Sequence, residues 1–354
     1  MKKTFLAILV AATLVACAKE DVISQNNEAI GFKQAFVDNS VRSVVDPSLT
    51  AATLTDFAVY GFVEDAVLFD GTRVAKVGSA NEITNTELSS DWKYEGTQYW
   101  IAGAKYNFNA IAPNKTNGGW TETAASKDGV TLSFENNGTT DLLYAKTAEI
   151  EGKATGNGLV AFSFSHVLSK VKFSFVNNYN ASNAKIKVSN IQITDAYQTA
   201  TVALSASAPA WSAPTGTLNL NFGQATDDQA TNDVKESVEV AYAFGATYES
   251  HNELLLIPVA GPAETEVEVD GQKVTKKAYT VTFTVELFIG DAATAVKTYT
   301  HTVKVPVTPE AGKCYDIVAT ITPENIDPEH QQEPIEFTVN TLPGWGAVTE
   351  VPAN

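Results

Sequence analysis

The chain has 354 residues and a formal net charge of −17, which becomes −19 once Lys2 and Lys3 leave with a signal peptide. Such an acidic surface argues against nucleic acid or an anionic membrane surface as a partner. The length favours two domains, each large enough to bury a core.

Residues 1–16 have the pattern of a lipoprotein signal peptide. Lys2 and Lys3 precede an apolar run at 4–16, which is as long as a signal-peptide core and too short to span a bilayer. The run ends in Leu-Val-Ala-Cys, which resembles the lipobox of bacterial lipoproteins, where the cysteine becomes the acylated N-terminus. Cys17 is therefore the predicted lipidation site. The second cysteine, Cys314, is predicted to be a buried strand thiol, and no disulfide can form within the lipidated chain.

The lipidated segment 17–42 contains one predicted strand. Residues 29–37 have large apolar side chains at even intervals, namely Ile30, Phe32 and Phe36. This spacing predicts a strand with one apolar face.

An arginine follows this strand closely. Only Arg42 and Arg73 of the 24 basic residues are arginine. Two interpretations stay open for Arg42: an ordinary loop residue, or a processing site at which a protease cuts between Arg42 and Ser43 and releases the anchor with the first strand.

The rest of the chain predicts an all-β fold. Short segments rich in Val, Ile, Thr, Tyr and Phe alternate with period two and are separated by turn residues, which is typical of a sandwich or barrel. Asp70-Gly71 and Asp270-Gly271 are predicted hairpin turns. The polar stretch 151–158 is the predicted connection between an N-terminal domain at 43–158 and a C-terminal domain at 159–354.

Several strands of the C-terminal half are predicted individually. Segments 186–193 and 201–205 are predicted as separate strands, 279–289 and 296–307 are expected to pair, and 315–321 to complete a meander. His166 interrupts a strand, and we expect it to bond to nearby backbone and not to act in catalysis.

The order of the motifs resembles that of the Bacteroides-type fimbrillin family over nearly the whole chain. The segments that carry the resemblance are the lipobox, Ile30-Gly31-Phe32, Arg42, Phe57-Ala58-Val59-Tyr60, Tyr99-Trp100 leading to 106–113, 164–171, Phe337-Thr338-Val339 and Trp345. The resemblance implies two tandem transthyretin-like β-sandwich domains and a non-enzymatic, structural subunit of a surface fimbria that supports adhesion.

The resemblance also implies an assembly route. The lipidated precursor reaches the outer membrane surface, an arginine-specific protease cuts after Arg42, and the slot left by 29–37 accepts a strand from another fimbrial subunit of the same or another kind. Losing Ile30, Phe32 and Phe36 removes about 5–9 kcal/mol of apolar burial, at roughly 1.5–3 kcal/mol each. An open slot of that size is a strong acceptor for strand addition. Host glycans or proteins are further implied partners, and no cofactor or metal is implied.

The C-terminal tail is the candidate donor. Ile335, Phe337 and Val339 alternate with polar residues, and Trp345 follows. The alternative is that this strand completes its own sandwich, and the sequence favours neither.

Two other functions compete with the fimbrial subunit. An enzymatic function has no support from the histidines, because none of the four lies in a motif typical of metal or triad chemistry. A carbohydrate-binding surface lipoprotein would use a stacking platform of aromatic residues, for which the candidates are Trp92, Tyr94, Tyr99, Trp100 and Trp120. The same residues are also typical core aromatics.

Overall fold

The computed structural model describes residues 28–37, 48–50, 52–80, 82–84, 90–180, 183–226, 242–330 and 332–342. These residues form 22 strands, which confirms the all-β prediction. None of the described segments is a helix long and apolar enough to cross a membrane.

The strands fall into an N-terminal and a C-terminal group along the chain. The first group is β1 (Phe32–Val37), β2 (Asp56–Val63), β3 (Ala66–Lys76), β4 (Trp92–Tyr94), β5 (Lys105–Ala112), β6 (Trp120–Ser126), β7 (Gly129–Glu135), β8 (Leu143–Lys146), β9 (Ile150–Glu151), β10 (Val160–His166) and β11 (Ser169–Asn177). The second group is β12 (Ala184–Ser205), β13 (Ala210–Gly223), β14 (Ala225–Thr226), β15 (Tyr242–Ala243), β16 (Thr247–Ser250), β17 (Leu254–Leu256), β18 (Ala263–Val269), β19 (Gln272–Ile289), β20 (Lys297–Val305), β21 (Cys314–Ile321) and β22 (Phe337–Leu342).

The first sheet closes on itself. Its strand order is β2-β3-β4-β1-β10-β8-β5-β9, and β2 also pairs with β5. The strands from β2 through β1 to β5 therefore form a ring, and β1 is one of its members. The ring surrounds an aromatic-rich core that includes Phe32, Phe57, Phe108 and Trp100.

Two further sheets enclose the second core. One has the order β14-β16-β11-β21-β22, with β17 also paired to β11. The other has the order β18-β19-β12-β7-β6, with β13 and β15 paired to β12 and β20 paired to β19. Their buried residues, such as Phe173, Phe222 and Phe283, form one cluster.

The expected boundary at 158/159 is crossed by hydrogen-bonded strands. β10 lies in the ring with strands of the N-terminal half, and β12 pairs with both β7 and β19. A third buried cluster combines residues of both halves, among them Tyr60, Phe134, Val202 and Cys314. The assignment of domains at 43–158 and 159–354 stays a prediction.

Asp70-Gly71 does not form the predicted hairpin turn. The pair lies inside β3, where the register with β2 shifts between Val59 and Gly61, and Gly71 has a φ of 63°. The positive φ serves a bulge in a continuing strand. The hairpin turn is Glu64-Asp65, since Val63 pairs with Ala66.

Two predictions for the C-terminal half are also wrong. The segments 186–193 and 201–205 belong to one strand, β12, which is bent by register shifts and continues through the polar residues between them. The strand at 315–321 does not complete a meander with β19 and β20. β21 pairs in parallel with β11, and both belong to the sheet opposite that of β19 and β20. The predicted pairing of 279–289 with 296–307 is confirmed by β19 and β20, and Asp270-Gly271 does form a two-residue turn.

Candidate functional site: the slot of the first strand

The strand β1 is held by two neighbours of unequal extent. It runs parallel to β10, from Phe32 opposite Val160 to Val37 opposite Phe164. On its other side it pairs with β4 only through Phe32 and Trp92. We call the space between β4 and β10 that β1 fills the β1 slot. The segment just before β1 is also held on the β4 side, where Ala29 forms an antiparallel bridge with Tyr99.

The side chains of Ile30 and Phe32 fill the inner end of the slot. Both are fully buried. The Phe32 ring lies edge-on to those of Phe69 and Tyr94, each with a centroid distance of 5.7 Å, and stacks on Phe162 at the same distance. The period-two spacing thus identified two core residues of the ring.

The pairing of β1 with β10 is irregular before Phe36. A register shift between Lys33 and Phe36 brings Phe36 opposite Ser163 and Val37 opposite Phe164. Phe36 as a residue of the removable strand stays a prediction.

Polar groups of the slot bond to the backbone of the first strand. Tyr94 donates its hydroxyl hydrogen to Ile30 O at 2.8 Å, and Ser90 Oγ donates to Phe32 O. Burial raises the pKa of the Tyr94 hydroxyl to about 12, so it remains a donor at neutral pH. The Ile30 N–H donates to Gln98 O at 2.7 Å. These contacts recognise backbone and can therefore accept a strand of another sequence.

The predicted lipidation site Cys17 and the predicted processing site at Arg42 and Ser43 lie outside the described residues. The candidate donor residue Trp345 also lies outside them. The position of Arg42 in the sequence falls between Val37, the end of β1, and Ser48, where the description resumes.

The candidate donor strand pairs within its own chain. β22 lies at the end of its sheet and pairs antiparallel with β21. Ile335 is buried just before the strand, and Phe337 and Val339 are half-buried against the second core. This pairing is the one expected if the strand completes its own sheet, and the donor role stays a prediction.

The aromatic residues proposed as a stacking platform do not form one. Trp92, Tyr94, Trp100 and Trp120 are buried, and only Tyr99, with 45% of its surface exposed, could meet a ligand. Alternation directs the others into the cores, so the carbohydrate-binding alternative loses its supporting observation.

His166 has a buried carboxylate partner that the sequence did not reveal. Its Nδ1 lies 2.8 Å from Asp141 Oδ2, and both side chains are buried. Asp141 also accepts hydrogen bonds from the N–H groups of Leu49 and Leu142. The pair therefore joins the end of β10 to the segment before β2 and to the start of β8. Cys314 is a fully buried strand residue, as predicted.

The fold defines a class of all-β proteins in which an N-terminal strand completes a closed ring. The chain belongs to the Fimbrillin-like family, whose model matches residues 44–341. No curated protein matches it.

Two solved structures illustrate the likeness. A fimbrial protein from Bacteroides vulgatus is 18% identical, with 90% of this chain and 100% of that chain covered and a TM-score of 0.59. The fimbrial anchor protein Mfa2 from Porphyromonas gingivalis is 9% identical, with 89% and 98% covered and a TM-score of 0.31. The first likeness shows a shared fold.

Proposed function

We propose that this chain is a structural subunit of a cell-surface fimbria and that it polymerises by strand exchange. It is exported as a lipoprotein anchored to the outer membrane through Cys17. An arginine-specific protease cuts between Arg42 and Ser43, and the β1 slot then accepts a strand from another subunit. Membership in the Fimbrillin-like family supports the fimbrial role.

The observation that carries the proposal is the way in which β1 is bound. Phe32, the first residue of β1, and Ile30 just before it are fully buried, while the pairing of β1 with β4 is limited to one residue pair. Burial of the two side chains is worth about 3–6 kcal/mol. A cut after Arg42 would leave β1 held by non-covalent contacts alone. The family match, at residues 44–341, lies entirely within the part of the chain that would remain.

The second arginine is a poor competitor for the protease. Arg73 lies within β3, where its Nε is 3.2 Å from Asp56 Oδ2. Proteases bind extended, accessible segments, and a residue paired in a sheet must unfold locally before it can be cut. The native chain should therefore be cut first at Arg42.

Limited digestion of the full chain with an arginine-specific protease tests the proposal. We expect one early cut after Arg42, followed by a ladder of detergent-resistant oligomers on an unheated gel. Arg42→Lys is the matched control, because it keeps the positive charge and removes the recognised guanidinium. Arg42→Ala should behave in the same way. Oligomers formed by either variant under the same digestion would contradict the proposed route.

A further inference from the structure

The strand β18 and the first part of β19 form a two-stranded arm at residues 263–277. β18 pairs with β19 up to Val269 and Gln272, next to the turn. β12 and β20 pair with β19 only from Tyr279 onward, so β18 is the one described strand that pairs with the first part of β19. Both outer edges of the arm therefore lack a strand partner among the described residues.

The arm is also exposed on its faces. All residues from Gln272 to Lys277 are exposed, and so are Val269 and Val274, with 40% and 41% of their surfaces accessible. A two-stranded ribbon that is not covered by a third strand or a packed face is marginally stable in water. An arm of this kind gains stability when another strand pairs with one of its edges.

The two strands of the arm carry charges of opposite sign. The charged residues of β18 are all acidic, and those in the first part of β19 are all lysines. They are Glu264, Glu266 and Glu268 on β18, and Lys273, Lys276 and Lys277 on β19. One edge of the arm is therefore acidic and the other is basic. Of these residues, Glu268 and Lys276 form no ion pair with another residue in the described part of the chain.

The other four charges form ion pairs within the arm. Lys277 Nζ lies 2.8 Å from Glu264 Oε1, and Lys273 Nζ lies 3.4 Å from Glu266 Oε2. All four side chains are more than half exposed, and pairs of this kind contribute little to stability. Because water and other charges can compete for them, these side chains can also interact with a neighbouring molecule.

The charge pattern selects one way of pairing two arms. A two-fold axis between two arms would place β18 beside β18 or β19 beside β19, so that charges of the same sign face each other. A head-to-tail contact places β19 of one arm antiparallel beside β18 of the next, so that lysines face glutamates. Charged residues normally protect a free edge from association, but here they repel only an edge of the same sign.

We propose that the arm pairs edge to edge with the arm of a second copy of this chain, with β18 of one copy beside β19 of the other. The contact lies outside the β1 slot and goes beyond the proposed strand exchange. A head-to-tail contact leaves one edge free on each outer arm, so it can continue from copy to copy. It therefore provides side-by-side association of subunits.

The test uses the uncut full chain and a charge-exchanged variant, which carries Glu264→Lys, Glu266→Lys, Glu268→Lys, Lys273→Glu, Lys276→Glu and Lys277→Glu. The exchange keeps the formal net charge of −17 and reverses each ion pair within the arm without removing it. Copies labelled with donor and acceptor dyes report association by energy transfer. The wild type should bind itself, and the variant should bind itself with similar affinity. Binding of the wild type to the variant should be at least about tenfold weaker, because like charges then face each other.

A matched control exchanges the charges of an exposed ion pair in the ring, Lys105 and Glu149, which lie 2.9 Å apart. The variant with Lys105→Glu and Glu149→Lys should bind the wild type as well as the wild type binds itself. If the charge-exchanged arm binds the wild type equally well, the edge-to-edge contact is wrong. A wild type that stays monomeric at every soluble concentration also overturns it. Because the chain is not cut, neither result depends on processing after Arg42.

Discussion

Replacing Phe32 with alanine tests directly whether the first strand is part of the ring core. Phe32 is fully buried, and its ring lies within 6.2 Å of the ring centroids of Phe57 and Phe108 as well as contacting Phe162. A buried Phe→Ala change costs about 3–5 kcal/mol, because transfer energy and packing are both lost. The first-strand contacts are aromatic on several sides, so we expect about 4 kcal/mol.

The free energy of unfolding is measured by urea titration with tryptophan fluorescence, since Trp92 and Trp100 belong to the same core. The midpoint should fall while the slope m stays constant. At roughly 2–4 °C per kcal/mol, the melting temperature should fall by about 8–16 °C.

Phe244→Ala is the matched control, because Phe244 is 56% exposed and undergoes the same chemical change. Its effect should stay within about 0.5 kcal/mol. If Phe32→Ala costs no more than Phe244→Ala, the first strand contributes nothing to the core, and the reasoning about the β1 slot is refuted.

Three further predictions concern the rest of the molecule. Lys170 and Glu253 form a fully buried ion pair at 3.0 Å. Lys170→Met should lower the free energy of unfolding, measured by urea titration, by about 3–5 kcal/mol, and adding Glu253→Leu should restore most of that loss. Additive losses in the double variant would contradict the pairing. Burial lowers the pKa of His301 below its ordinary 6.5, so its contribution to stability is complete above about pH 6.5 and is lost as the pH falls through the lower folded-state pKa. Unfolding midpoints at pH 7 and pH 5 should therefore converge in His301→Phe, and an unaltered pH difference would count against it. A Cβ at Gly129 would lie 2.1 Å from Leu204 O in the neighbouring strand. Gly129→Ala should therefore lower the free energy of unfolding, measured by calorimetry, by about 1–3 kcal/mol. An unchanged free energy of unfolding would show that β7 and β12 can move apart freely.

The sequence predicted those elements whose signals are local. The β19–β20 pair was predictable, because two long runs with period two follow each other with a short loop between them. Asp270-Gly271 was equally clear, since both residues have the positive φ that a two-residue turn requires. Asp70-Gly71 has the same two residue types but lies inside a continuous strand. The dipeptide permits a backbone conformation with positive φ, and the pairing with the neighbouring strand determines whether a turn or a bulge forms there.

Long-range pairings account for the remaining errors. β12 appeared as two strands because its middle is polar, yet Asp195 Oδ1 in that stretch accepts a hydrogen bond from the Thr280 N–H at 2.8 Å. The parallel pairing of β21 with β11 joins segments more than a hundred residues apart and leaves no local signal. In the slot, spacing identified Ile30 and Phe32, but the hydrogen bond from the Asn157 N–H to Glu28 Oε2 could not be found, since the two residues are 129 positions apart.

The pairing of β1 explains why a strand inside a closed ring could still be exchangeable. Neighbours in an antiparallel ring are usually joined by short turns, which tie each strand to the next. β1 runs parallel to β10, so no hairpin can connect these two, and its antiparallel neighbour β4 comes more than fifty residues later in the chain. The only covalent route from β1 into the ring is the stretch between Val37 and Ser48, which contains Arg42. Because the slot contacts the first segment mainly through backbone bonds and the side chains of Ile30 and Phe32, the proposed exchange requires a strand from a second molecule to make the same contacts after that route is cut.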